Sequence, residues 1–66
     1  MKKYDLFGVD GNAYAIISYV ISCMENEGKT KVDIDEYIRI ATSSDYYNLV
    51  SVSVDMIENL NDNAKI

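Results

Sequence analysis

The stretch Asp45-Tyr46-Tyr47-Asn48-Leu49-Val50-Ser51-Val52-Ser53-Val54-Asp55-Met56-Ile57-Glu58-Asn59-Leu60 decides the fold, because its middle admits two readings. Val50-Ser51-Val52-Ser53-Val54 alternates with period two, and β-branched valines favour strands, so alone it would make a strand with one wholly apolar face. Over the whole stretch the spacing is helical: Leu49, Val50, Ser53, Val54, Met56, Ile57 and Leu60 share an inward face, and Asp55 to Leu60 continues it with no turn residue between. Asp45 can cap the free amides of the first turn. The pattern predicts a helix over about 46–60, with a short strand near 50–54, and an α+β fold, as the alternative. The polar tail from Asn61 to Ile66 is expected to fray.

Two more helices precede it. Asp33-Ile34-Asp35-Glu36 has the form of a capping box, with Asp33 as the cap, and predicts a helix over about 34–43 whose buried stripe is Ile34, Tyr37, Ile38 and Ala41. Thr42-Ser43-Ser44 should end it, since these side chains compete for backbone hydrogen bonds. Further upstream, Asp10 is the expected cap of a helix over about 11–27 that stops at Gly28. Ala13, Ile16, Ile17, Val20, Cys23 and Met24 give it one continuous apolar face. Tyr14, Tyr19 and Ile21 lie outside that face, so the helix is apolar round much of its circumference. Residues 4–9 are too short for a helix and read as an extended arm or short strand that lays Leu6 and Phe7 on the core. The resulting expectation is all-α: a small three-helix bundle with an extended N-terminal arm.

A chain of 66 residues has room for one domain. At this size roughly 60% of the unfolded chain's surface is buried, leaving about 3–5 kcal/mol of net stability. With 48% apolar and 26% charged residues the composition is that of a folding chain despite its net charge of −5. Eleven carboxylates against six basic groups repel phosphate backbones. The basic residues Lys2, Lys3, Lys29, Lys31, Arg39 and Lys65 are scattered and form no stripe, so direct nucleic-acid binding is not expected. The apolar-rich run from Ala13 to Met24 is too short to span a membrane, and the charged start Met1-Lys2-Lys3 is unlike a secretory leader, so a cytoplasmic location is expected.

Chemistry is constrained by what the chain lacks. It has no histidine and a single cysteine, Cys23, which removes the usual general base, the usual zinc ligands and the serine and cysteine triads. Cys23 sits within an apolar run and reads as a small buried hydrophobe. Asp33, Asp35 and Glu36 could hold a divalent cation through oxygen, but capping explains the same residues without one. Asp5 to Asn12 does not open a calcium loop, because the acidic twelfth ligand would have to be Ile16. No enzyme activity and no cofactor are expected.

Six tyrosines are a high count for this length, and Tyr46-Tyr47 stands where a loop enters a helix. Neighbours on a helix point about 100° apart, so both rings cannot share one core face. Tyrosine offers broad apolar area and a hydroxyl with little entropy to lose, the character of an interface anchor. The competing structural reading is that Tyr46 staples the helix start and Tyr47 shields the core edge.

Two resemblances accompany this. Val9-Asp10-Gly11-Asn12-Ala13 is similar to the start of nucleases of the PIN and flap-exonuclease type, which would imply a metal-binding Asp10 and an enzyme fragment; those folds need a longer chain and more carboxylates. Phe7-Gly8-Val9-Asp10-Gly11-Asn12-Ala13-Tyr14 and Ala41-Thr42-Ser43-Ser44-Asp45-Tyr46-Tyr47-Asn48-Leu49 together resemble a group of short, uncharacterised bacterial proteins often associated with phages and other mobile elements. That resemblance implies a helical fold and no activity. Members of the group tend to have Gly where this chain has Ser44, which bears on whether the turn there is left-handed.

The expected function is a small acidic protein-interaction module that binds a protein partner or itself through Tyr14, Tyr19, Ile21, Tyr46 and Tyr47. The alternative is a mobile-element inhibitor that presents carboxylates where phosphates would lie on a host protein.

Overall fold

A computed structural model describes residues 3–64. Lys2 and Lys65, counted above among the scattered basic residues, and the end of the expected tail at Lys65 and Ile66 lie outside the described residues. Three helices follow one another: α1 (Ala13–Asn26), α2 (Lys31–Ala41) and α3 (Tyr46–Ala64). There is no strand among the described residues, so the alternating valines of 50–54 are helical and the fold is an all-α three-helix bundle. Helical context overrides the strand preference here because Leu49, Ser53, Ile57 and Leu60 are all buried, a set that only the helical spacing puts on one side.

The helix ends differ from expectation by a few residues, each for a local reason. Asn12, not Asp10, caps α1, its side-chain oxygen accepting from the Ala15 amide at 2.8 Å. Asp10 instead closes the turn before it, accepting from the backbone and side-chain nitrogens of Asn12 at 3.1 and 3.0 Å. Thr30, not Asp33, caps α2, and Asp33 occupies the third helical position, from which it bonds back to the Thr30 amide. The capping box is real but shifted three residues, and Glu36 pairs with Arg39 instead. Asp45 does cap α3, accepting from the Asn48 amide at 3.0 Å.

The terminations are equally specific. Lys29 and Gly28 donate to the carbonyls of Met24 and Glu25, and Gly28 takes the left-handed conformation at φ +78° that ends α1. Thr42 and Ser43 turn their hydroxyls back onto the carbonyls of Ile38 and Ile40, which closes α2. Among the described residues only glycines have positive φ, so Ser44 makes no left-handed turn. Asn48, from the first turn of α3, donates to the Ile40 carbonyl at 2.9 Å and so completes the end of α2 from outside.

Tyr46 bonds through its hydroxyl to the Gly11 carbonyl, just ahead of α1. At the other end Tyr4 links Asn26 and Glu27, where α1 finishes, to Asn61 of α3. Hence α1 and α3 run side by side in the same direction and α2 returns antiparallel between short loops. The core is Ile16, Val20, Cys23 and Met24 of α1, Tyr37 and Ala41 of α2, and the inward face of α3. Ala13 and Val54, both expected inside, are exposed at the edges of their stripes.

The arm is clamped by its backbone. The Tyr4 amide donates to Asn61 Oδ1 at 2.7 Å, and Asn61 Nδ2 donates to the Tyr4 carbonyl at 2.9 Å. Asn61 is buried, which corrects the expectation of a fraying tail beginning there: α3 continues to Ala64. Leu6 and Val9 pack on the core as the arm returns toward α1. Phe7 does not: Gly8 at φ +87° makes a turn closed by the Val9 amide on the Leu6 carbonyl, and Phe7 at its apex is 93% exposed. Tyr4, which the apolar pattern passed over, is the buried aromatic of the arm.

Two buried hydroxyls meet inside the bundle, Tyr37 Oη and Ser53 Oγ at 2.6 Å. Ser53→Ala leaves the tyrosine hydroxyl without a partner and should cost about 1–3 kcal/mol in urea unfolding. Tyr37→Phe with Ser53→Ala should cost less than the sum of the single changes, because no orphaned group remains. Strict additivity would show that the hydroxyls do not support one another.

Glu27 accepts from Lys3 Nζ at 2.8 Å and from the Tyr4 hydroxyl. These bonds, the Lys3 one foremost, hold its carboxyl below the ordinary carboxylate range, with Lys29 adding a favourable charge. The folded state thus binds this proton less tightly than the unfolded chain. The contribution is complete above the ordinary carboxylate range and is lost as pH falls through the lower folded value. Acid titration should therefore move the Tyr4 and Asp5 amide resonances while the helices persist, and Glu27→Gln should flatten that response. Unmoved arm resonances through the titration would show that Glu27 does not hold the arm.

Candidate functional site

The five residues expected to bind a partner separate into two groups. Tyr19 and Ile21 are half-buried against the core. The Tyr19 hydroxyl also accepts the Asp5 amide at 3.0 Å, and burial pushes its ionisation up. Both therefore serve the fold, Tyr19 as a seat for the arm. The periodicity placed them off the main stripe correctly, but the arm, invisible to helical spacing, reaches Tyr19, and Ile21, about 200° round the helix from it, packs against the core as well.

Tyr14, Tyr46 and Tyr47 are different. Tyr14 is 87% and Tyr47 83% exposed, while Tyr46 is 48% exposed with its hydroxyl held by Gly11. All three stand at the end of the bundle where α1 and α3 begin and α2 finishes. A shallow recess of about 280 Å³ opens there, walled by Ala13 and Ile17 of α1, Ala41 of α2 and Tyr46 and Leu49 of α3. Tyr14 and Tyr47 each follow a wall residue directly and point about 100° further round their helices, outside the lining of the recess. Tyr46 is thus both staple and wall, and Tyr47 stands free of the core edge.

The acidic candidates are occupied locally. Asp33 completes the α2 cap, Asp35 pairs with Lys31 at 3.0 Å and Glu36 pairs with Arg39. Asp10 holds the turn before α1 with no strand leading into it, unlike the arrangement that the nuclease resemblance implies. Among the described residues no three acidic or cysteine side chains gather closely enough to hold a metal ion. Cys23 is buried, and desolvation pushes its thiol up, away from the reactive thiolate. Among the described residues no helix is long and apolar enough to cross a membrane.

A second concavity, which the sequence did not disclose, lies toward the opposite end. It is a groove of about 500 Å³ between α2 and α3, floored by Met24, Tyr37 and Met56. Residues distant in sequence form it, and no single stripe marks it.

If Tyr14 and Tyr47 have no part in folding, Tyr14→Ala and Tyr47→Ala should each shift unfolding free energy by no more than about 0.5 kcal/mol. Tyr46→Ala, which removes a wall and the bond to Gly11, should cost more in the same urea titration. A large loss from the first two would assign them to the fold.

Comparison of the chain with protein-family models, with curated proteins and with solved structures found no match in any of the three.

Proposed function

We propose that this chain is a small protein-interaction module that acts by binding, not by catalysis, and that its docking surface is the aromatic end of the bundle. The observation that carries the reading is the near-complete exposure of Tyr14 and Tyr47, each directly following a residue that walls an apolar recess. Each ring carries large apolar area that water covers in the free protein. Burial against a partner would recover it at little cost in side-chain freedom, as at the aromatic anchors of many interfaces. The partner is a protein, or a second copy of this chain meeting end to end.

The charge-mimic reading keeps the support of the net charge of −5 and of the mobile-element resemblance. It is the weaker reading, because net charge by itself names no surface, whereas the aromatic end offers exposed rings at a defined place. The two differ in salt response: an apolar aromatic contact should persist at high ionic strength, whereas a mimic of phosphate should be lost.

The test places a photo-crosslinking phenylalanine analogue at position 47 and irradiates the chain in cell extract at low and high salt, with sedimentation of the purified chain alongside. A defined crosslinked protein, or a dimer, that disappears in Tyr14→Ala/Tyr46→Ala while circular dichroism stays helical is the expected result. A monomeric mass together with no crosslink beyond that of the variant would overturn the proposal.

A further inference from the structure

We infer that the groove between α2 and α3 is a docking site for a basic amphipathic helix of a partner protein. It is a different surface from the aromatic end and does not depend on the reading given for that end. The floor is apolar, built from Met24, Tyr37 and Met56. Met56 is the accessible methionine, and its unbranched thioether chain adjusts to varied apolar shapes, while Met24 lies fully buried beneath it. Tyr37, buried with its hydroxyl on Ser53, fixes the base, and Ile40 and Val52 complete the accessible apolar lining beside Met56.

The rim supplies the chemistry of the occupant. Asp33 and Glu36 stand on the α2 wall and Asp55 on the α3 wall, with Lys29 the one basic group lining the groove among the described residues. An apolar stripe flanked on both sides by lysine or arginine would set its stripe on the floor and a cation against each wall. A helix also fits the geometry, because two packed helices present a trough into which a third can lie about 8–10 Å from each. The helical lining runs from position 33 to 40 on one side and from 52 to 59 on the other, roughly 10 Å at 1.5 Å per residue, the length of two turns.

The same charges exclude other occupants. A second copy of this chain would bring its own net −5 against Asp33, Glu36 and Asp55, and nucleic acid or an anionic membrane would be repelled likewise. Glu36 is shared with Arg39, yet its pairing is solvent-exposed and can be exchanged for a partner's cation.

The probe is a two-heptad leucine/lysine model helix, with a leucine/glutamate helix of the same length as its counterpart, titrated against the isotope-labelled chain. Expected is saturable binding of the lysine helix alone, with amide shifts concentrated at residues 24–29, 33–40 and 52–59. Glu36→Gln/Asp55→Asn should weaken it by about tenfold, the order expected when two rim charges facing cations are removed. Glu25→Gln/Glu58→Gln, with the same change in net charge away from the groove, should leave binding nearly intact, as should Tyr14→Ala/Tyr47→Ala. Equal weakening by the two charge variants, shifts centred elsewhere, or no binding of the lysine helix would each overturn the inference. Loss of binding in Tyr14→Ala/Tyr47→Ala alone would assign the helix to the aromatic end and overturn it as well.

Discussion

The hydroxyls of Tyr37 and Ser53 meet in the centre of the core, and the stacking of the helices depends on that meeting. A phenol buried among apolar side chains must find a partner or forfeit the solvation of its hydroxyl. Only one register of α2 against α3 brings Ser53 to it at 2.6 Å. Leucine and valine contacts tolerate sliding by a fraction of a turn; a single buried hydrogen bond does not. Among the described residues no buried side-chain polar atom is left without a partner, so this register satisfies the rest of the interior too.

The second polar intrusion into the core plays the corresponding part for the arm. Asn61 uses both ends of its amide on the backbone of Tyr4, treating one residue of extended chain as a neighbouring strand would. The Tyr4 ring then carries its hydroxyl to Asn26 and Glu27, where α1 ends. An arm too short to fold by itself thereby ties the ends of α1 and α3, and Tyr19 receives it midway. Four of the six tyrosines, Tyr4, Tyr19, Tyr37 and Tyr46, thus spend their hydroxyls inside the molecule, which leaves Tyr14 and Tyr47 as the two that face outward.

This economy gives the bundle two unlike ends. Where α1 and α3 begin, a shallow apolar recess is walled by Tyr46, with Tyr14 and Tyr47 exposed at the same end; toward the other end, carboxylates line a groove over Met56. A protein this small has little surface to spare, and each concavity draws on all three helices. Changes that loosen helix packing will therefore alter both surfaces, whereas changes to exposed rings or rim charges can be read one surface at a time.

The sequence by itself determined the first two helices, the cap at Asp45, the stop at Gly28 and the burial of Cys23, and favoured a third helix over a strand at 50–54, because periodicity and end signals are local and each element carries its own. It also marked Tyr46 and Tyr47 as rings that cannot share one face. It misplaced the caps at Asp10 and Asp33, since Asn12 and Thr30 compete a few residues away and local signals do not rank such neighbours. Only the tertiary structure decided which of the remaining polar and aromatic residues go inside. Asn61 reads as tail until Tyr4 lies opposite it, Phe7 reads as core until the Gly8 turn swings it out, and Tyr19 and Ile21 read as surface until the arm and the neighbouring helices cover them. The groove of Met24, Tyr37 and Met56 exists only because three distant segments meet. The physical reason is common to all of these: burial and hydrogen-bond partnership belong to pairs of segments, and a pattern within one segment does not contain its partner.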